Sequence, residues 1–168
     1  MKHRWMIPLT FLLLSACATQ PQTETVTLYL VRHAETVSSE VNPDRPLNPQ
    51  GLQRADWLGQ YFSPLALDTL YSTNITRTLQ TIAPTAKSKS LTVNHYNPRE
   101  LEQFADELRQ LSGPALVAGH SNTTPALLNA LQRSSHYEQI DDAEHGLIFV
   151  VEMHEGEVQS VEIDRSEP

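Results

Sequence analysis

Two arginines and two histidines each follow a strand-like segment of the chain. Arg32 and His33 end the apolar run LYLV, Arg77 lies five residues after Ser72, and His120 follows the run ALVAG. Polar groups are costly to bury without partners, so strands that end on them predict a ligand. Imidazole is a good nucleophile near neutral pH, and a guanidinium group binds phosphate oxygens in pairs. These residue types together predict a site for an anion.

Strand-like and helix-like segments alternate from Thr25 onward and must position these side chains. Apolar runs rich in β-branched residues predict strands over 26–31, 67–72, 91–96 and 115–118. Helices are expected between them, beginning after Asn48, near Ile75, after Asn97 and at Thr124. In the second helix, Pro84 is expected to end or kink the helix. Two last strands around residues 154–156 predict a hairpin.

This alternation predicts an α/β fold, a three-layer sandwich with a mostly parallel central sheet flanked by helices and a C-terminal antiparallel hairpin. In such sheets ligands bind beyond the carboxyl ends of the strands. Arg32, His33, Arg77 and His120 are therefore expected on one rim. Because the whole chain has a net charge of −8, a cluster of positive groups at one point is best explained by a bound anion. An acidic chain also disfavours nucleic acid as a partner.

Four segments resemble the histidine phosphatase superfamily, also called phosphoglycerate mutase-like. They are LVRHAET, LNPQGLQRA, YSTNITRTLQTIA and LVAGHSNTTPALL, which together span about residues 26–132. The resemblance implies a phosphoglycerate mutase-like fold and a small phosphorylated substrate. It implies that His33 attacks phosphorus to form a phosphohistidine, with Arg32, Arg77 and His120 around the phosphoryl group. No metal or other cofactor is expected, since two arginines and a protonated His120 would supply the positive charge.

The residue that protonates the leaving group is not evident from the sequence. Ser121 follows His120 where one branch of the family has an aspartate, and Ser39 occupies the position of a phosphate-binding asparagine. Glu100 is the candidate general acid nearest in sequence order to the segment where other branches place a glutamate. A helix-capping role also explains it, with Asn97 as cap and Pro98 at the first helical position. A chain without a strong acid would favour substrates with good leaving groups, such as phosphohistidine, acyl phosphates or aryl phosphates.

Two other functions remain open at this point. The segment AGHSNT has the strand–turn–helix context of a nucleophile elbow, so Ser121 could serve a serine hydrolase with Asp141 or Asp142 and His145. A non-catalytic lipoprotein could also keep the pocket for anion binding only. The four other histidines of the chain body show no zinc-like spacing and are expected at the surface or in the hairpin: His95, His136, His145 and His154. Glu35 is compatible with a place near the pocket, but a surface carboxylate is the favoured interpretation.

The N-terminal segment predicts export and lipid anchoring. Residues 1–16 have the basic and apolar regions of a signal peptide, and LSAC resembles a bacterial lipobox ending at Cys17, the single cysteine. Cleavage there would remove Lys2 and Arg4 and change the net charge from −8 to −10. Residues 17–25 would then be a lipidated cysteine with a flexible tether, and 26–168 a single domain. We expect a periplasm-facing lipoprotein anchored to a bilayer through acylated Cys17, and the sequence identifies no protein partner.

Overall fold

The computed structural model describes residues 25–38 and 42–165. The expected signal peptide, the lipidation site Cys17 and the position of Ser39 lie outside the described residues. The helices and strands follow in the order β1 (Val26–Arg32), α1 (Pro49–Phe62), β2 (Thr69–Ser72), α2 (Thr76–Lys89), β3 (Val93–His95), α3 (Leu101–Leu108), β4 (Ala115–Gly119), α4 (Thr123–Gln132), β5 (Leu147–His154) and β6 (Glu157–Arg165). None of the helices in this part of the chain is long and apolar enough to cross a membrane.

The strands form one six-stranded sheet in the order β3-β2-β4-β1-β5-β6. Strand β4 pairs in parallel with β1 and with β2, and β2 pairs in parallel with β3. Strands β5 and β6 form the expected antiparallel hairpin, and β5 also pairs antiparallel with β1. The predicted fold class is confirmed. Because β1, β2 and β4 run in the same direction, their carboxyl ends meet at one edge.

Helices cover both faces of the sheet. Successive side chains of a strand point to opposite faces, so β1 contributes Leu30 to one core and Val31 to the other. The core under α1 and α2 includes Phe62 and Ile82, and the core under α3 and α4 includes Phe104, Leu108, Leu127 and Leu128. The helices and the sheet form the expected three layers. The packed cores on both faces hold the central strands in place, and with them the residues at the carboxyl ends of these strands.

Pro84 was expected to end or kink α2, and the expected end is wrong, since the helix continues through this residue to Lys89. Proline removes one backbone donor from a helix, but α2 packs closely against α1 at this point. A Cβ atom at Gly59 of α1 would lie only 2.8 Å from the Pro84 Cβ. Tight helix–helix packing therefore outweighs the local preference of proline.

The predicted capping box at the start of α3 is also wrong. The helix begins at Leu101 with Glu100 at the cap position, and the Glu100 side chain makes no capping hydrogen bond. Asn97 Oδ1 instead accepts a hydrogen bond of 3.1 Å from the Arg99 backbone N–H. This Asx-type turn delays the helix by about one turn and exposes Arg99.

Candidate active site

The carboxyl ends of the three parallel strands open into a cavity of about 750 Å³, which we call the strand-end cavity. This volume lies within the ~300–1,000 Å³ typical of sites for small molecules. All four residues predicted to share one rim line it. The complete lining is Arg32, His33, Glu35, Thr36, Arg45, Asn48, Ile75, Arg77, Pro98, Arg99, His120, Ser121, Asn122, Thr123, Asp142 and His145.

His33 lies directly after β1, and its backbone N–H donates to the Gly119 carbonyl of β4 at 2.9 Å. The ring is 8 % exposed, and its Nδ1 lies 2.8 Å from the Ala34 carbonyl oxygen. A carbonyl only accepts, so Nδ1 carries the proton and Nε2 keeps its lone pair. This is the arrangement that a nucleophilic imidazole requires.

His120 lies after β4, with its ring centroid 5.5 Å from that of His33. Arg77 Nη2 donates to His120 Nδ1 at 3.2 Å, which leaves the proton on Nε2. His120 Nε2 therefore donates to Thr73 Oγ1 at 3.1 Å, and Thr73 Oγ1 lies 2.8 Å from Thr78 Oγ1. The ring is neutral in this arrangement, in contrast to the expected protonated His120.

The surroundings of both rings favour the neutral form. Burial is the largest cause and, with the nearby positive charges, it lowers the pKa of His33 to about 3. Burial and the charges of Arg77 and Arg32 lower the pKa of His120 to about 4. Desolvation and neighbouring like charges both disfavour an imidazolium. At neutral pH the cavity therefore holds uncharged imidazoles beside charged guanidinium groups.

The two central arginines are held by backbone carbonyls. Arg32 Nη1 donates to the carbonyls of Asp141 and Glu144 at 2.7 and 2.8 Å, and Nη2 donates to that of Asp142 at 3.3 Å. Arg77 Nη1 donates to the Pro43 carbonyl at 3.1 Å. These contacts fix both guanidinium groups before any ligand binds, which favours tight positioning of an anion.

Gly119 lets His120 approach the neighbouring segments. A Cβ atom at position 119 would lie 2.8 Å from Thr124 Oγ1 and 2.9 Å from the Tyr96 hydroxyl. The His120 backbone N–H donates to Thr123 Oγ1 at 2.9 Å in the same region. A side chain at Gly119 would therefore displace His120 from the cavity.

His145 is not the surface residue that the sequence predicts. It lines the strand-end cavity, its ring centroid lies 6.1 Å from that of His33, and its Nδ1 donates to the His33 carbonyl at 3.2 Å. Burial, followed by the charge of Arg32, lowers its pKa. The contact joins residues 112 positions apart, so no local sequence pattern indicates it.

Glu35 is also not a free surface carboxylate. Its carboxylate forms a buried ion pair with Arg54 of α1, with Nη2 to Oε1 at 2.7 Å and Nε to Oε2 at 3.0 Å. Burial alone would raise the pKa of Glu35, but the hydrogen bonds from Arg54 outweigh it and lower the pKa. The carboxylate is therefore ionised and cannot donate a proton near neutral pH.

Two sequence candidates occupy positions that do not support the roles considered for them. Glu100 is exposed and does not line the strand-end cavity, although the adjacent Arg99 does. Ser121 lines the cavity, but no hydrogen bond in the described part of the chain joins its hydroxyl to a histidine. Among the same residues, no group of three or more His, Cys, Asp or Glu side chains is arranged to hold a metal ion.

Comparisons with known proteins agree with this architecture. The model of the histidine phosphatase superfamily (branch 1) matches residues 28–99. A protein histidine phosphatase SixA complexed with tungstate is 15% identical, with a TM-score of 0.70 over 83% of this chain and 96% of that chain. The alpha-ribazole phosphatase from Shigella flexneri is 13% identical, with a TM-score of 0.68 over 84% and 96%. A mycobacterial glucosyl-3-phosphoglycerate phosphatase is 10% identical, with a TM-score of 0.64 over 84% and 98%.

None of the curated proteins compared with the chain matches it significantly. The structural similarities establish the fold, and the family model covers the segments that carry Arg32, His33 and Arg77. The chain is similar to the histidine phosphatase superfamily over residues 28–99, as its sequence motifs led us to expect. The expected phosphoglycerate mutase-like fold is confirmed.

Proposed function

We propose that the chain hydrolyses a phosphate monoester or a phosphoramidate through a phosphohistidine intermediate on His33. The observation that carries the proposal is a neutral His33 ring in the strand-end cavity, with Nδ1 held by a carbonyl and Nε2 unprotonated, beside Arg32 and Arg77. The similar fold of a phosphatase complexed with tungstate, itself a tetrahedral oxyanion, agrees with phosphate as the ligand.

In the first step, Nε2 of His33 attacks phosphorus, and the bond from phosphorus to the leaving oxygen or nitrogen breaks. The electron pair departs with the leaving group, which then takes a proton from water. Arg32 and Arg77 stabilise the charge on the transferring phosphoryl oxygens, and His120 lies across from His33 beside the same group. Positioning and charge stabilisation are the main requirements of phosphoryl transfer, and the fixed guanidinium groups meet both.

In the second step, a water molecule attacks the phosphorus of phosphohistidine. The bond between phosphorus and Nε2 breaks, the electron pair returns to the His33 ring, and the proton lost by the water leaves with inorganic phosphate. The Ala34 carbonyl keeps Nδ1 protonated in both steps, so the ring returns to its starting tautomer.

The carboxyl groups at the cavity favour substrates with good leaving groups. Glu35 is ion-paired with Arg54, and Asp142 lies 3.6 Å from Arg32 with its side chain 85 % exposed. Neither is arranged as a strong proton donor to a leaving oxygen. Aryl phosphates, acyl phosphates and phosphohistidine, whose imidazole can leave as a neutral ring, need little protonation, so we expect them to react much faster than alkyl phosphates. Equal rates on matched aryl and alkyl phosphates would contradict this part of the proposal.

The test is a phosphatase assay of the purified chain beside two histidine variants. His33→Ala should abolish release of phosphate from an aryl phosphate, because the nucleophile is gone. His136→Ala removes an exposed histidine outside the strand-end cavity and should keep full activity. Phosphate binding without turnover in the unmodified chain would instead support the alternative of a non-catalytic anion-binding protein. Inactivation by a fluorophosphonate through Ser121 would support a serine hydrolase.

We also propose that the chain is exported and anchored to a membrane through lipid on Cys17. The support is the sequence of residues 1–17, in which basic, apolar and small residues precede a single cysteine. Labelling cells with a fatty acid should mark the protein, and Cys17→Ala should lose both the label and the membrane association. Unchanged labelling of the Cys17→Ala variant would contradict the proposal.

A further inference from the structure

We propose that Arg45 and Arg99 bind a second anionic group of the substrate, either a carboxylate or a second phosphate. This inference rests on the proposed function, because it names the class of phosphorylated compound that the strand-end cavity accepts. The substrate would carry its transferable phosphoryl group toward Arg32 and Arg77, and its second negative charge toward the other two arginines.

Arg45 and Arg99 differ from the other described arginines in their side-chain contacts. Six arginines in the described part of the chain have partners, which are backbone carbonyls, a histidine or carboxylates: Arg32, Arg54, Arg77, Arg109, Arg133 and Arg165. The side chains of Arg45 and Arg99 have no hydrogen bond or ion pair with any described residue. Both line the strand-end cavity.

Arg45 is held at the cavity by contacts of its neighbours. Both carboxylate oxygens of Asp44 accept from Thr76 at the start of α2, from the backbone N–H at 2.8 Å and from Oγ1 at 2.7 Å. On the other side, the Leu47 N–H donates to Gln80 Oε1 at 2.7 Å. Arg45 and Arg77 line the same cavity, and the charge of Arg45, after burial, helps to lower the pKa of Arg77.

Arg99 reaches the cavity from a different element. It lies in the turn between β3 and α3, which Asn97 shapes through its bond to the Arg99 backbone N–H. Pro98 before it also lines the cavity. Arg45 and Arg99 therefore approach one cavity from separate loops, and no other described residue accepts a hydrogen bond from either guanidinium group.

Among the described residues, the carboxylates near the cavity are engaged with other groups and do not neutralise this pair of arginines. Asp44 is bonded to Thr76, Glu35 to Arg54, and Asp142 lies beside Arg32. A phosphoryl group bound at Arg32 and Arg77 leaves two further positive charges along the same cavity. Like charges without counterions repel each other, and an anionic ligand relieves the repulsion. A dianionic phosphate with one more negative group fits this charge distribution better than a simple monoester.

The experiment compares 4-carboxyphenyl phosphate with 4-carbamoylphenyl phosphate, which has nearly the same shape but lacks the second charge. We expect kcat/KM to be roughly fivefold to tenfold higher for the carboxylate, as two solvent-accessible arginine–carboxylate contacts would give. In Arg45→Gln and Arg99→Gln the ratio between the two substrates should fall toward one. Lys87→Gln removes an exposed positive charge of α2 away from the cavity and should leave the ratio unchanged.

Two outcomes separate this inference from the proposed function. Equal hydrolysis of both compounds, with a ratio that neither arginine variant changes, would overturn the second-anion site and leave the phosphatase proposal intact. Hydrolysis of neither compound would overturn the phosphatase proposal. In that case calorimetric binding of the two compounds still tests the inference: a preference for the carboxylate that Arg45→Gln removes supports it, and equal affinities refute it.

Discussion

At the scale of single residues, the site depends on which atom of each group carries a proton. The Ala34 carbonyl fixes the tautomer of His33, and Arg77 fixes that of His120. Both assignments follow from partners that can only accept or only donate. Arg77 therefore has two roles, since its guanidinium group orients His120 and also lines the phosphoryl site.

Replacing Arg77 by lysine should reduce kcat/KM on an aryl phosphate by roughly 100-fold. An ammonium group keeps the charge but loses the planar fork and the bond to His120 Nδ1, and losing one preorganised donor costs about this much in other enzymes. The matched control is Arg133→Lys, because Arg133 forms an exposed ion pair with Glu157 outside the cavity. Steady-state kinetics on the three proteins give the comparison. Activity of Arg77→Lys within twofold of the unmodified chain would show that charge alone is sufficient.

At the scale of secondary-structure elements, close packing of α1 against α2 positions the segment that carries Arg77. Gly59 and Pro84 meet at this contact, and a Cβ at Gly59 would be 2.8 Å from the Pro84 Cβ and 3.2 Å from the Pro84 carbonyl carbon. Arg54, one helical turn earlier in α1, binds Glu35 beside the cavity. Helix α2 thus positions Arg77, and helix α1 positions Glu35 through Arg54. Packing between the two helices therefore supports both residues at the cavity.

Gly59→Ala should lower the free energy of unfolding by about 1–3 kcal/mol, as overpacking of a filled contact does. Intrinsic helix propensity alone predicts the opposite sign, because alanine is better than glycine in a helix by about 1 kcal/mol. Urea denaturation of the variant distinguishes the two effects. A stabilised Gly59→Ala protein would mean that α1 and α2 pack less closely than described.

At the scale of the whole molecule, a negatively charged chain surrounds a positively charged cavity. The net charge is −8, yet Arg32, Arg45, Arg77 and Arg99 line one cavity, and the two central imidazoles stay neutral. Because these imidazoles are buried and close to positive charges, their protonation is unfavourable in the folded protein.

Acidification should destabilise the protein through these two histidines. Their pKa values are about 3 and about 4 in the folded state, against 6.5 for an unperturbed histidine. As the pH falls below 6.5, the unfolded chain therefore takes up protons that the folded chain does not, so stability is lost. Each histidine should contribute a loss of about 2 kcal/mol between about pH 7.5 and pH 5. Urea denaturation at pH 7.5 and at pH 5 measures the total loss of unfolding free energy. In His120→Asn, the part of that loss that comes from His33 and His120 should be about half as large. An identical pH dependence in His120→Asn would contradict the buried neutral ring.

The sequence was sufficient to predict the layered fold and the convergence of Arg32, His33, Arg77 and His120. Both depend on local patterns: apolar strands that end on polar residues, and the rule that parallel strands share a carboxyl edge. The positions of His145, of the Glu35–Arg54 pair and of Arg45, whose guanidinium group has no partner among the described residues, depend instead on contacts between segments far apart in the chain. The position of Pro84 inside a continuous helix was missed because helix packing outweighs a local preference.

The central claim is that His33 carries the phosphoryl group during turnover. The most direct measurement is rapid acid-free quenching of the chain with an aryl phosphate labelled in its phosphoryl group, followed by mapping of the labelled peptide. We expect alkali-stable, acid-labile phosphate on the peptide containing His33, formed at least as fast as phosphate is released, and absent from His33→Ala. Turnover with no labelled His33 at any time point, or full activity in His33→Ala, would contradict the account.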